Sequence, residues 1–214
     1  ISLLLSFLEP LTCDYRVTVL DVGQGQCILL QSEGRAYLVD CGGSNGEELA
    51  DSAAELLLSQ GIFHLDGLIL THFDKDHSSG AEYLLSRVQV DALIVPFSYN
   101  RDEILDRLSP LVLQTVTVKE NLLIAFGDSE LLVFGPIVMD SCNENSLAIL
   151  FHRENCDILI TGDRSALGER LLLKTVQLPD VDILVAGHHG SRDSTSEELL
   201  RAVTPETVLI SLSE

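Results

Sequence analysis

The sequence predicts an α/β fold, and three of its features support that prediction. Strand-type and helix-type segments alternate through the first half, which is typical of sheets covered by helices. The second half again has strand-rich segments followed by helices, which indicates a duplicated sandwich. The 214 residues, 46% of them hydrophobic, are enough for one substantial core or two small ones. We treat the chain as a single domain.

The first half is predicted to begin with three strands. Valines at 17, 19 and 22 indicate the first strand, which ends at the glycines of residues 23–25. These glycines could suggest a phosphate loop, but the full GxGxxG spacing and a following helix are missing, which favours a tight turn. The second and third strands span 27–31 and 36–39, joined by a turn at 32–35.

Helices and strands then alternate. Apolar residues recur three and four positions apart over 46–59, which predicts an amphipathic helix. The elements predicted after it are a strand at 66–71, a helix at 80–88, a strand at 92–96 and a helix at 102–108.

The second half is predicted to start with β-rich chain over 111–134, broken near Asn121 and Gly127. A turn at 143–145 separates it from the later elements. These are strands at 146–151, 157–161, 182–186 and 207–212, with helices at 164–175 and 195–203.

The charge balance restricts the possible partners. Thirteen basic and 33 acidic residues give a formal net charge of −20, which is unusual for a nucleic-acid binder because phosphate contacts come mainly from Lys and Arg. Bound divalent cations would offset part of this charge locally. A positive stripe near such cations, formed by Lys75, Arg164 and Arg192, would favour DNA as the substrate.

The segment 71–78, between a buried strand and a helix, has the strongest functional signal. It contains His72, Asp74, Asp76 and His77, four residues of the types that bind divalent metals. A tight turn would direct the first two towards one cation and the last two towards a neighbouring one. The alternative is a polar turn in which Asp76 or Ser78 caps the next helix, but that leaves His72 and Asp74 unexplained.

Other predicted strands also end in ligand-type residues. Asp163 follows one strand and the pair His188–His189 follows another, while Asp40 ends the third strand. Two cations about 3.5–4 Å apart, bridged by a carboxylate, are a known device for hydrolysing esters, and Asp163 suits the bridging role. Asp40 could be a plain acid at the end of a strand or a partner that orients a metal-bound histidine.

Five motifs in order resemble one family. They are LDVGQG at 20–25, LVDCG at 38–42, THFDKDHSSG at 71–80, TGD at 161–163 and HHGS at 188–191. Together they resemble the metallo-β-lactamase superfamily, and the LDVGQG start and the HxDxDH form are similar to its ComEC competence-protein branch. The resemblance covers residues 15–214 and implies a four-layer αββα sandwich with a dinuclear metal site at the edge of the two sheets. It further implies that the domain is truncated at its C-terminus and that residues 1–14 are a lead-in, the end of a membrane-linked region or a strand against the core.

The resemblance also implies a ligand set. One divalent ion would be bound by His72, Asp74 and Asp163, and a second by Asp163 with Asp76, His77 and His189. Oxygen-rich ligands favour Mn²⁺ over Zn²⁺.

Other motif residues are expected to act on the substrate. Asp76 would orient the attacking water, and His188 would contact a phosphate oxygen or protonate the leaving oxygen. The residues expected to support the site or to bind the substrate are Asp40, Asn143, Asn145 and Ser191.

The resemblance implies a nuclease that degrades one strand of incoming DNA during natural transformation. Its partners would be that DNA and a membrane channel domain of the same full-length protein, with no small-molecule cofactor. Its location would be the extracytoplasmic face of the bacterial membrane. Two alternatives remain open: a hydrolase of a small phosphodiester or other ester, which fits the acidic composition better, and a non-catalytic domain stabilised by metals.

Overall fold

The computed structural model describes residues 15–97, 103–137 and 143–212. The predicted lead-in at 1–14 lies outside the described residues. Within the described ranges, twelve strands form two six-stranded sheets. None of the helices in these ranges is long and apolar enough to cross a membrane.

The first sheet has the strand order β1-β2-β3-β4-β5-β6. Its first three strands are antiparallel, and β3 to β6 are parallel. The strands are β1 (Tyr15–Val19), β2 (Gln26–Ser32), β3 (Arg35–Gly42), β4 (His64–Ile69), β5 (Gln89–Pro96) and β6 (Gln114–Val118).

The second sheet has the order β12-β11-β10-β9-β8-β7 and the same mixture of pairings. Strands β7 to β10 are antiparallel, and β10 to β12 are parallel. The strands are β7 (Leu122–Phe126), β8 (Ser129–Phe134), β9 (Ala148–Arg153), β10 (Cys156–Ile160), β11 (Ile183–Val185) and β12 (Thr207–Leu209). The two sheets thus repeat one plan, as the sequence predicts.

Helices cover the outer faces of both sheets. They are α1 (Gly46–Ser59), α2 (Lys75–Ser78), α3 (Ala81–Leu85), α4 (Glu103–Leu108), α5 (Ala166–Thr175) and α6 (Glu197–Val203). Short 3₁₀ turns occur at Ser109–Leu111, Asn143–Asn145 and Gly187–Gly190.

Three hydrophobic clusters separate four layers. Because successive side chains of a strand point to opposite faces, Ile28 and Leu30 of β2 pack between the two sheets, whereas Cys27 and Leu29 pack against the helices. A third cluster, which includes Leu159 of β10, joins the second sheet to α5 and α6. The layers are therefore helix, sheet, sheet and helix, and the predicted αββα fold is confirmed.

Most predicted elements are present, and their bounds differ for local reasons. Helix α1 has the predicted bounds. Helices α5 and α6 begin two residues later than predicted because Ser165 and Ser196 cap them, each accepting a hydrogen bond from a backbone amide of the first turn. The last strand ends at Leu209 rather than at 212, since its pairing with β11 stops there.

Candidate metal centre

The ligand-type residues converge at one edge of the sandwich, where parallel strands of both sheets end. The turn after β4 carries Asp76 and His77, the loop after β10 carries Asp163, and the turn after β11 carries His189. One ligand atom from each of these four residues lies within 4.8 Å of every other. In open α/β sheets, ligands characteristically bind at the carboxyl ends of strands.

His77 is at the centre of this cluster. Its Nε2 lies 3.0 Å from Asp163 Oδ1 and 3.2 Å from Nε2 of His189. The Nε2 of His189 lies 3.4 Å from Asp76 Oδ2. His77 and Asp163 are buried, whereas Asp76 is half-buried. The cluster therefore has a closed floor and a side that faces solvent.

The second carboxylate oxygen of Asp163 faces a different group of side chains. Oδ2 lies 3.6 Å from Nε2 of His72 and 3.6 Å from Nε2 of His188, and Asp74 Oδ2 lies 3.8 Å from the same His72 nitrogen. Asp163 thus stands between two groups, as its predicted bridging role requires. The ligand atoms of the second group lie farther apart. In the described ranges, only those of the first group are all within 4.8 Å of one another.

His188 lies beside Asp163 on the side of His72. Its side chain is 40% exposed, the most open of the four histidines at this edge. Of the pair, it is therefore His189 that joins the tight cluster, while His188 faces the opening.

Asp40 holds His77 through the ring nitrogen that does not face the cluster. It is buried near the end of β3, and its backbone has a φ of +59°, a left-handed conformation that is rare for residues other than glycine. Its Oδ2 accepts a hydrogen bond from His77 Nδ1 at 2.7 Å, and Oδ1 accepts one from the Thr71 amide at 2.7 Å. The structure thus puts Asp40 in the position expected of a partner that orients the histidine.

Two further residues support Asp40, and the sequence predicted no role for either of them. Gln26 Nε2 donates to Asp40 Oδ2 at 2.7 Å, and Thr71 Oγ1 donates to the same oxygen at 2.8 Å. Thr71 immediately precedes the first histidine of its motif and Gln26 follows the LDVGQG segment, so their positions gave a weak signal. Only the fold brings them to one carboxylate.

The segment 71–78, which carries His72 and His77, packs directly on the end of β3. A Cβ atom on Gly42 would lie 2.3 Å from the backbone nitrogen of His77, so only glycine permits this approach. Ser78 Oγ donates to the carbonyls of Phe73 and Asp74, and the N-cap of α3 is Gly80, without a side-chain cap. The alternative in which Asp76 or Ser78 caps the next helix is therefore wrong.

The histidine pair lies on a strained turn. His188 and His189 have φ values of +49° and +53°, a conformation that costs about 1–2 kcal/mol per residue for L-amino acids. The His188 amide donates to the Gly162 carbonyl at 3.1 Å, and Ser194 Oγ donates to the Gly187 carbonyl at 2.7 Å. These bonds fix a backbone that places the His188 imidazole beside Asp163 Oδ2 and the His189 imidazole beside His77 and Asp76.

The turn has a buried anchor of its own. Glu169 of α5 is fully buried and accepts hydrogen bonds from the backbone amides of Thr195 and Ser196 at 2.6 and 2.8 Å. Thr195 Oγ1 in turn accepts one from the Gly187 amide at 3.0 Å. The second sheet and its helix layer therefore position the histidine pair.

The electrostatics of the cluster suit a cation. Burial by itself lowers the pKa of His77, but the charge of Asp40 and hydrogen bonds to Asp163 and Asp40 raise it to about 10. Burial by itself raises the pKa of Asp163, but His77 and the neighbouring histidines lower it to about 2. Burial and, next in size, the positive charge of His77 lower the pKa of His72 to about 4. Asp163 and a neutral His72 therefore have free lone pairs at neutral pH.

The imidazole nitrogens of the cluster are placed as metal ligands would be. With Nδ1 of His77 donating to Asp40, its Nε2 must hold a second proton or face a cation, because carboxylates and another imidazole converge on it. His72 Nε2 is buried and has no hydrogen-bond partner among the described residues. The nitrogen and oxygen donors fit divalent metal ions.

The remaining predicted residues are less closely involved. Asn145 is buried, and its Oδ1 has no hydrogen-bond partner among the described residues, while Asn143 is half-buried. Within the same ranges, neither side chain bonds a residue of the cluster. The chain after them passes beside the site, because the Leu147 amide donates to the Thr71 carbonyl at 2.8 Å. Ser191 lines a cavity together with both histidines.

Arg164 does not contribute to a surface stripe. It is fully buried, and its Nη2 donates to the Gly135 carbonyl at 2.9 Å. Burial lowers its pKa to about 10, against the opposing charge of Glu144. The proposed stripe of Lys75, Arg164 and Arg192 is therefore wrong in its central member, while the other two are exposed.

Comparison with solved structures supports the fold. CmlA, a diiron β-hydroxylase from Streptomyces venezuelae, matches with a TM-score of 0.59 and 18% identity, over 92% of this chain and 44% of that one. The short form of human tRNase Z matches with a TM-score of 0.58 and 14% identity, over 92% of this chain and 93% of that one. Identities this low show the fold alone.

Curated relatives match nearly the whole chain. ComE operon protein 3 of Bacillus subtilis is 30% identical over 97% of this chain and 30% of its own length. Recombination protein 2 of Haemophilus influenzae is 32% identical over 92% of this chain and 24% of its own, and competence protein ComA of Neisseria gonorrhoeae is 25% identical over 91% and 26%. The chain thus spans a quarter to a third of their length.

The predicted relation to competence proteins is confirmed by these relatives. A profile of the metallo-beta-lactamase superfamily matches residues 20–214, nearly all of the chain and every motif quoted above. The chain belongs to the metallo-β-lactamase superfamily.

Proposed function

We propose that this domain is a metal-dependent phosphodiester hydrolase that acts on DNA. The observation that carries the proposal is the convergence of Asp76, His77, Asp163 and His189, with Asp163 shared by a second group of donors. Such a set binds metal and leaves one side open to a substrate, whereas a purely structural site would be closed by protein.

Two divalent ions would share Asp163. Asp76, His77 and His189 would hold one of them, and His72 and Asp74 would hold the other. When bound, such ions polarise a phosphoryl group and lower the pKa of water, so that an ester is attacked near neutral pH. The proportion of oxygen donors favours Mn²⁺ over Zn²⁺.

The side chains around the ions have separate tasks. Asp40 holds His77 in one tautomer by accepting its Nδ1 proton, which leaves Nε2 free to bind metal. Asp76, half-buried at the open side, orients the attacking water. His188 is exposed beside Asp163 and contacts a phosphate oxygen or donates a proton to the leaving oxygen.

DNA is the favoured substrate for two reasons. The relatives include proteins named for recombination and for competence, both of which concern DNA. In addition, Lys75 and Arg192 are exposed on the turns that carry the ligands and form no ion pair in the described ranges, whereas most other arginines there pair with acids. Two free cations at the site would contact phosphates despite the net charge of −20.

The wider context is also a proposal. Because the relatives are three to four times longer than this chain, we propose that the domain works next to a membrane channel in one full-length protein. There it would degrade one strand of incoming DNA at the extracytoplasmic face of the membrane.

The test is cleavage of end-labelled linear DNA by metal-stripped protein to which Mn²⁺, Mg²⁺ or Zn²⁺ is returned. We expect metal-dependent cutting, fastest with Mn²⁺, and a loss of at least about 100-fold in His77→Ala, because direct ligands matter more than the surrounding residues that tune them. The matched control is His152→Ala, which removes an exposed histidine that also bonds a carboxylate. It should cleave as the unmodified chain does.

Other outcomes would favour the alternatives. Turnover of bis(p-nitrophenyl) phosphate without DNA cleavage would indicate a small phosphodiester as the substrate, which the acidic composition favours. Metal binding without hydrolysis of either compound would contradict the proposal and indicate a non-catalytic domain. Equal cleavage by His77→Ala and His152→Ala would exclude the cluster as the active site.

A further inference from the structure

A cavity of about 300 Å³ opens beside the two histidines and is not explained by metal binding. Its walls are formed by Gln24, His188, His189, Gly190, Ser191 and Leu212. The volume is at the lower end of the range for small-molecule sites. It is lined by His189 of the metal cluster and by His188 beside Asp163, so a group seated in it would lie next to the reacting bond.

The first wall is the loop between β1 and β2. A Cβ atom on Gly25 would lie 2.2 Å from the Gly42 carbonyl oxygen, so this loop packs backbone against backbone on the end of β3. Gln26 then points inward and donates to Asp40. Gln24, two residues earlier, is exposed and lines the cavity.

The two glutamines of this loop therefore differ in environment. The Gln26 amide is buried and bonded to a carboxylate, whereas the Gln24 amide has no hydrogen bond to the part of the chain that the structure describes. A free amide offers two donors and an acceptor to a ligand.

The second wall is the segment that follows β12. Ile210 packs on the histidine turn, since a Cβ atom on Gly190 would lie 3.0 Å from its Cγ2. Ser211 Oγ donates to the Gly23 carbonyl at 3.3 Å, which joins this segment to the Gln24 loop. Leu212 then adds an apolar surface opposite the polar wall.

The lining of the cavity carries no negative charge of its own. None of its described lining residues is acidic, although the chain has 33 acidic residues. A cavity of about 460 Å³ elsewhere is lined by Glu154, Asp157, Asp180, Asp182 and Glu206. A phosphate-bearing ligand would be repelled more strongly from that second cavity than from the one beside the histidines, where the nearest carboxylates, Asp76 and Asp163, lie behind the imidazoles.

We propose that the cavity beside the histidines is the subsite for the nucleotide unit adjoining the scissile phosphate, and that Gln24 binds that unit. The amide of Gln24 would bond a phosphate oxygen or the edge of the base, and Leu212 would pack on the sugar or base. This inference rests on the proposed function, because it names the substrate group that the same site accepts.

The test measures binding of thymidine 5′-monophosphate by calorimetry, with the Mn²⁺-loaded and with the metal-stripped chain. In Gln24→Glu, which places a carboxylate in the cavity, we expect the Kd to rise by about tenfold or more. The matched control is Gln89→Glu, which adds the same charge at an exposed position at the start of β5. It should leave the Kd unchanged, and Leu212→Ala should weaken binding severalfold.

Cleavage kinetics distinguish failure of this inference from failure of the proposed function. If the unmodified chain cuts DNA and Gln24→Glu raises KM about tenfold while Gln89→Glu does not, the subsite is supported. If DNA is cut with the same KM by both variants, or if the nucleotide binds both equally, the subsite is excluded and the hydrolase remains. If the nucleotide binds through Gln24 but no DNA is cut, the subsite stands and the proposed function fails. Absence of nucleotide binding to the unmodified chain would also overturn the subsite.

Discussion

One contact, a histidine Nδ1 at 2.7 Å from an aspartate oxygen, occurs in two very different regions of this molecule. His77 bonds Asp40 at the edge of the sandwich, and His152 bonds Asp157 across the antiparallel strands β9 and β10. The side chains of the first pair are both 0% exposed, whereas those of the second are 48% and 18% exposed. Geometry alone does not distinguish the two pairs.

The difference lies in what surrounds the other ring nitrogen. His77 is buried, with its Nε2 at 3.0 Å from Asp163 Oδ1 and 3.2 Å from His189 Nε2. Although burial by itself lowers the pKa of His77, the carboxylates of Asp40 and Asp163 raise it to about 10. His152 faces solvent, and exposed pairs of this kind contribute only about 0–1 kcal/mol. A histidine–carboxylate contact therefore indicates a functional site only when it is buried and further side chains of the metal-binding types converge on the histidine.

The largest difference between the two pairs is expected when each aspartate is replaced by asparagine. Asp40→Asn keeps a residue that tolerates the left-handed backbone but removes the acceptor of the His77 proton. We expect metal affinity to fall about 10–100-fold and the free energy of unfolding to fall by about 2 kcal/mol. Calorimetric metal titration and urea unfolding measure the two effects.

Asp157→Asn is the matched control for that experiment. It removes the carboxylate of the exposed pair and should change the free energy of unfolding by no more than about 0.5 kcal/mol, with metal affinity unaltered. If both variants lose stability and affinity to the same extent, burial does not distinguish the two pairs and the role of Asp40 must be rejected.

A smaller effect is expected when metal is added to the apo chain. An ion at ten times its Kd should add about 1.4 kcal/mol to the free energy of unfolding, which raises the Tm by roughly 3–6 °C for a domain of this size. The shift should be preserved in His152→Ala and much reduced in Asp163→Asn, as followed by thermal melting. An equal shift in Asp163→Asn would mean that Mn²⁺ binds the acidic surface rather than the cluster.

The smallest effect concerns the cations beside the two regions. Next to the exposed pair, Arg153 lies 3.7 Å from both Glu33 and Asp128, whereas Lys75 and Arg192 beside the metal centre have no such partner in the described ranges. In Lys75→Gln or Arg192→Gln, the slope of log K for DNA against log salt should therefore fall by about 0.7–0.9.

Fluorescence anisotropy of a labelled oligonucleotide at several salt concentrations measures that slope. Lys174→Gln, a substitution in the last turn of α5, is the control with the same change of charge. An unchanged slope in all three variants would mean that neither Lys75 nor Arg192 contacts phosphate.

Several parts of the site could be predicted from the sequence because each depends on local chain. Four ligand-type residues in six positions, Asp163 after an apolar run and two adjacent histidines all lie at strand ends, and strand ends are visible in the pattern of apolar residues. Helix α1 could be predicted to the residue because its apolar spacing is regular. Helices α5 and α6 begin two residues later than predicted, because Ser165 and Ser196 cap them.

Other parts could not be predicted because they depend on contacts between distant segments. Gln26 and Thr71 meet at Asp40 from positions 14 and 31 residues away along the chain. Arg164 is charged in the sequence and adjoins a ligand, yet the fold buries it against the Gly135 carbonyl. Leu212, predicted to end the last strand, lies beyond its observed end at Leu209 and lines the cavity beside the histidines.

Short segments of the sequence are enough to predict the α/β class from apolar periodicity and, through the resemblance of five motifs, the superfamily with its αββα layers and candidate metal ligands. The resemblance already pointed to His189 and to a bridging Asp163, but the distances that bring His189 rather than His188 into the tight cluster, and both oxygens of Asp163 towards ligand-type side chains, come from the tertiary structure. The position of Gln24, which lines a cavity with no acidic side chain among its described residues, also comes from the tertiary structure. Such distances join atoms of segments that are far apart along the chain, and the packing of the two sheets fixes them.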